Sequence, residues 1–167
     1  MSPDPDRTEP PPPPQTSPRF AFTRKQYLGL PLLIAIPVLT LFGVFGERRD
    51  VARASSRSVE MTVRYPSRFR YRQVQSLDVA VRNVSGRALD SVSVSLDTAY
   101  ISRFSSVRIE PAAQVAYVVS LTDLKPMESR LVTAELWGQR YGSHTGRIVA
   151  ATRADTARIV IRTLVFP

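Results

Sequence analysis

From Val59 onward, apolar and polar residues alternate one by one, and this period restricts the chain more than any other feature. Val59, Met61, Val63 and Tyr65 are separated by polar residues. Leu77, Val79 and Val81 repeat the pattern, as do Val92, Val94 and Leu96 between serines. A period of two is that of a pleated strand with one dry and one wet face. Further pieces read as strands at Val107–Ile109, Val115–Leu121, Leu131–Trp137, Arg147–Thr152 and Ala157–Phe166. Turn chemistry falls between them, at Asn83–Gly86 and around Pro126. No stretch carries a convincing helical period. Seven to eight short strands in residues 58–167 predict an all-β fold, an Ig-like antiparallel β-sandwich.

The preceding residues divide into three parts. Residues 1–25 contain five consecutive prolines, Pro10–Pro14, and are expected to be a disordered Pro-rich tail. Tyr27–Phe45 is nineteen residues without a charge. As a helix it spans about 28 Å, close to a hydrocarbon core of about 30 Å. It is apolar on all sides, and aromatic residues stand near its ends. Residues 26–46 are therefore expected to form one transmembrane helix, and 47–57 a linker. A cleaved signal peptide competes, because Ala52-Arg53-Ala54 has the shape of a cleavage site. The charged run Glu47–Asp50 that intervenes favours an uncleaved anchor. The arginine flanks are nearly balanced. The expected placement is a single pass in the cell inner membrane, N-terminus cytoplasmic and C-terminal domain periplasmic or extracellular.

The chain has no cysteine, which excludes disulfides, thiolate metal sites and cysteine nucleophiles. It carries 23 basic and 14 acidic residues, a formal +9, and only Lys25 and Lys125 are lysines. Such a chain is drawn to anionic surfaces.

Two stretches are candidate interaction surfaces. In "RYPSRFRYRQ", Arg64, Arg68, Arg70 and Arg72 take even positions, and Tyr65, Phe69 and Tyr71 take odd ones. An extended backbone puts the guanidiniums in water and the rings in the core. The strip then reads either as an ordinary strand face or as a basic strip for anionic lipid headgroups or an acidic protein partner. Stacking on nucleic acid needs exposed rings, so nucleic acid is disfavoured. In "WGQRYGSHTGR", Trp137, Arg140, Tyr141 and His144 stand among three glycines. A hairpin loop needing positive φ explains the glycines, whereas tryptophan, tyrosine and arginine are interface types. His144 is the sole histidine and has no neighbouring carboxylates in sequence, so neither a metal nor a catalytic triad is expected.

The segments "SLDVAVRNVSGRALDSVSVSL" and "LKPMESRLVTAEL" resemble the bacterial extracytoplasmic Ig-like domains of the CARDB kind. There, too, an alternating strand ends at an Asn-x-Ser/Thr-Gly turn and a proline turn introduces a later strand. The resemblance covers residues 59–137. It implies an exported sandwich acting as an adhesion or accessory module, without a shared catalytic set or cofactor. The expected role is a membrane-anchored, non-catalytic binding module for a membrane or envelope partner. The alternatives are a ligand carrier or enzyme on the same sandwich, and a cytoplasm-facing nucleic-acid-binding domain.

Overall fold

The computed structural model describes residues 24–41 and 46–167. Residues 1–23, which hold most of the expected disordered tail, lie outside the described residues. Two compact units divide at residue 42.

The first unit contains one helix, α1 (Arg24–Leu41), with Pro31 and Pro37 inside it. Among the described residues, no helix is long and apolar enough to cross a membrane. The expected span 26–46 is met by a helix that opens on Arg24, Lys25 and Gln26 and so has a shorter apolar part. Residues 42–45, which complete the uncharged run, lie outside the described residues.

The second unit is built of strands. They are β1 (Arg48–Ser55), β2 (Val59–Arg70), β3 (Val74–Asn83), β4 (Leu89–Leu96), β5 (Phe104–Glu110), β6 (Val118–Leu124), β7 (Ser129–Gly138), β8 (Gly142–Ala151) and β9 (Thr156–Phe166). A four-residue helix, α2 (Thr98–Ile101), joins β4 to β5. The hydrogen-bonded order is β5-β7-β3-β2-β9-β8-β4-β6, and β1 pairs with β2. The sheet curls on itself into two halves, β5-β7-β3-β2 and β9-β8-β4-β6. This matches the ABED and GFC sheets of an immunoglobulin sandwich, with β6 added beside β4. The halves join where the end of β2 runs parallel to the end of β9, from Arg68 beside Leu164 to Arg70 beside Phe166.

The alternation decides what is inside. Val59, Met61, Val63, Leu77, Val79 and Val81 are buried, and so are Val92, Val94 and Leu96 from the opposite half. They form one cluster with Leu136, Ile148 and Ile161. Each such side chain taken fully from water contributes about 1.5–3 kcal/mol.

Three local expectations are corrected. The expected linker holds strand β1, because Ala52 and Ala54 face Val63 and Met61 and pack on the core while Val51 and Arg53 face solvent. Val115 and Tyr117 are not strand residues. Tyr117 has φ 68°, Val115 is exposed, and β6 begins only at Val118.

Asn83–Gly86 turns without positive φ. Instead the buried Asn83 amide donates to the carbonyls of Arg87 and Leu124, at 2.8 and 2.9 Å, and accepts from Ser85. Its backbone bonds Met127 and Glu128. The two segments that carry the CARDB-like pattern therefore meet at one side chain.

The glycine-rich stretch is a crossing rather than a hairpin, since β7 pairs with β3 and β5 whereas β8 pairs with β9 and β4. Of its glycines only Gly142 has positive φ, at 113°. Gly138 and Gly146 lie under the rings of Phe69 and Tyr100, where a Cβ would collide. The alternating pattern stops between Asp97 and Val107 because the chain changes sheets there and buries Tyr100, Ile101 and Phe104.

Candidate interaction surface at one end of the sandwich

The β2–β3 turn, the β7–β8 crossing and the end of β9 lie at the same end of the sandwich. Three backbone bonds tie them. Tyr71 N–H donates to Phe166 O at 2.8 Å, Arg72 N–H to Gly138 O at 2.9 Å, and Gly138 N–H to Gln73 O at 3.2 Å. Arg72 sits in the turn with φ 62°, a conformation that costs a non-glycine residue about 1–2 kcal/mol. The bonds from both neighbours hold it there.

This frame brings the two stretches singled out in the sequence together. The rings of Tyr71 and Tyr141 lie 4.6 Å apart, tilted by 39°. The guanidinium of Arg72 stands 5.4 Å from the Tyr71 ring centre, and that of Arg70 stands 5.8 Å from Phe166, within cation–π range. Arg140 and Tyr141 are exposed in the crossing. Trp137 is 45% exposed beside its cross-strand partner Val74, itself 54% exposed. Tyr71, expected in the core, is half-buried in this cluster.

The remaining candidates separate from it. Arg64 lies back along β2, exposed on the outer face of the sheet between Val51 and Asp78. Arg68 is half-buried, at the point where the β1–β2 register slips by one residue. The arginine strip is therefore interrupted, because β2 bulges and passes from one half of the sandwich to the other. His144 is half-buried. Its Nε2–H donates to Arg140 O at 2.9 Å, and its ring meets Phe104 edge-on at 6.0 Å. It holds the crossing in shape.

A second feature escaped sequence reasoning. Arg48, Arg68 and Arg162 line one groove with Asp50, Tyr65 and Ser143. Arg48 Nε bonds Asp50 at 3.0 Å, and Arg162 Nε bonds the Ser143 hydroxyl at 2.8 Å. Burial, and then the Asp50 charge, push the Tyr65 hydroxyl above its ordinary pKa. No local motif announces this grouping; it follows from strand order alone. Among the described residues, no group of three or more His, Cys, Asp or Glu is placed to hold a metal ion.

No protein-family model matches the chain, and no curated protein matches it. Among solved structures, it is similar to the CARDB domain of a Pyrococcus furiosus protein, solved in complex with di-metal ions. That pair shares 16% identity over 71% of this chain and 89% of that one, at a TM-score of 0.43. The GAE domain of a Saccharomyces cerevisiae protein shares 13% identity over 72% of this chain and 98% of its own, at 0.34. A β-glucosidase of Listeria innocua, in complex with isofagomine, shares 16% over 72% of this chain and 16% of its own, at 0.32.

Proposed function

We propose that the chain is a membrane-anchored, non-catalytic binding module that presents its sandwich outside the cytoplasm to an envelope protein. The uncharged run Tyr27–Phe45 serves as the anchor, with the N-terminus in the cytoplasm. The observation that carries the reading is the cluster of Trp137, Tyr141 and Tyr71 with Arg70, Arg72 and Arg140 at one end of the sandwich. Tryptophan, tyrosine and arginine dominate binding energies when they are fixed before contact. Here backbone bonds hold the turn that carries Tyr71 and Arg72 against Gly138 and Phe166.

The test is Trp137→Ala combined with Arg140→Ala in the full chain, extracted in mild detergent. Recovery of co-purifying envelope protein should fall at least about tenfold, as loss of about 1.4 kcal/mol or more requires. Circular dichroism should stay that of the parent. Unchanged recovery removes this surface. Reporter fusions at the two termini test the orientation, and a C-terminal reporter active only in the cytoplasm overturns it.

A further inference from the structure

The groove of Arg48, Arg68 and Arg162 has no part in the aromatic cluster and needs its own explanation. Three residues far apart in sequence come together because the start of β1 and the end of β9 both lie against the last third of β2. The groove is open, with a volume of about 340 Å³. Three arginines and one aspartate line it. The Nε atoms of Arg48 and Arg162 are committed to Asp50 and Ser143. Both side chains are exposed, that of Arg48 at 70%. The Tyr65 and Ser143 hydroxyls add two more donors. Planar guanidinium forks beside hydroxyl donors suit the oxygens of a phosphate or phosphodiester.

Position selects the source of that phosphate. Arg48 follows Phe45, the last residue of the uncharged run, by three residues. Three residues reach at most about 11 Å. Gln75 holds the start of β1 against β3, donating to Glu47 Oε2 at 3.0 Å and accepting from Arg49 Nη2 at 3.2 Å. Leu164, 39% exposed, borders the groove.

We propose that the groove formed by Arg48, Arg68 and Arg162 binds the headgroup phosphate of an anionic phospholipid, seating this end of the sandwich on the membrane surface. The inference rests on the anchoring reading above. The partner is a lipid, and free phosphate is an outcome of the test.

The full chain is mixed with vesicles of phosphatidylcholine, or of phosphatidylcholine with phosphatidylglycerol, and labelled with the arginine reagent phenylglyoxal. Mass spectrometry reads each arginine. Labelling of Arg48, Arg68 and Arg162 should fall on the order of fivefold with the anionic vesicles, the change expected when a basic group meets an anionic surface. Arg87 and Arg153, at the opposite end, should not change. Arg48→Gln with Arg162→Gln should abolish the protection of Arg68. Equal labelling over both vesicles overturns the proposal, and so does protection of Arg68 that survives in the double variant. Equal protection by inorganic phosphate over neutral vesicles overturns the lipid assignment. Sedimentation with neutral vesicles reads the anchor separately, and a chain left in the supernatant overturns the anchor whatever the labelling shows.

Discussion

The hydroxyls of Tyr100 and Thr163 meet at 2.8 Å inside the sandwich, both side chains fully or almost fully buried. The bond joins α2 to β9 across the core. Tyr100→Phe leaves the Thr163 hydroxyl buried without a partner and should cost about 1–3 kcal/mol in denaturant unfolding. Adding Thr163→Val should recover most of that loss, because no unsatisfied group then remains. Burial also pushes the Tyr100 pKa from 10.0 up to about 12, outweighing the Thr163 bond, which lowers it. The folded state thus holds this proton more tightly than the unfolded state. Its contribution is complete below pH 10 and is lost as the pH rises towards 12, by roughly 1.4 kcal/mol per pH unit. Unfolding midpoints measured between pH 9 and pH 12 (a range of about three units) should fall more steeply for the parent than for Tyr100→Phe.

Asn83 makes a second prediction. Its amide satisfies two carbonyls, from Arg87 and Leu124, and accepts from Ser85, all at a fully buried position. Asn83→Asp keeps the shape but removes both amide donors and places a carboxylate against two carbonyl oxygens. The loss should exceed about 3 kcal/mol. Asn83→Ala should cost less, about 2 kcal/mol. Chemical denaturation of the three proteins ranks them, and an Asp variant more stable than Ala would refute the role of the donors.

The glycines of the β7–β8 crossing should respond unequally to alanine. At Gly146 the new Cβ would lie 2.6 Å from Tyr100 Cβ, an atom fixed to the backbone of α2. At Gly138 it would lie 2.7 Å from Phe69 Cε2, at the far edge of a ring that can tilt. Overpacking costs about 1–3 kcal/mol. Gly146→Ala should reach the upper end of that range and Gly138→Ala the lower. Thermal unfolding of both variants decides the order.

What was legible in the sequence follows from where a side chain's surroundings are set locally. Val59–Val63, Leu77–Val81 and Val92–Leu96 occupy the strands their alternation indicates, because each strand has one face in the core. β1 escaped because "RRDVARAS" buries only alanines, whose pattern is faint beside the charges. Arg70 and Arg72 read correctly as exposed, but Arg72 lies in a turn rather than on a strand. The meeting of Tyr71 with Tyr141 could not be read, and neither could that of Arg48 with Arg162. Each depends on which strands become neighbours, and pairings this distant in sequence are set by the curled sheet as a whole.

Arg72 gives the last prediction, in which stability and binding move in opposite directions. Its φ of 62° belongs to the left-handed region, where glycine is at ease and arginine is strained. The turn itself uses only the backbone of Arg72, through the bond to Gly138 O. Its guanidinium lies beside the Tyr71 ring, in the surface proposed for binding. Arg72→Gly should therefore stabilise the sandwich by about 1 kcal/mol, since relief of strain exceeds the added freedom of the unfolded chain. Arg72→Ala keeps the strain and loses the cation–π contact, so it should gain nothing. Both variants should lose affinity for the partner in the same proportion, because both lack the guanidinium. Denaturant midpoints and recovery of co-purifying protein, measured on the same preparations, separate the two effects. A glycine variant less stable than the alanine one would show that the backbone bonds, rather than strain, set the energy of this turn.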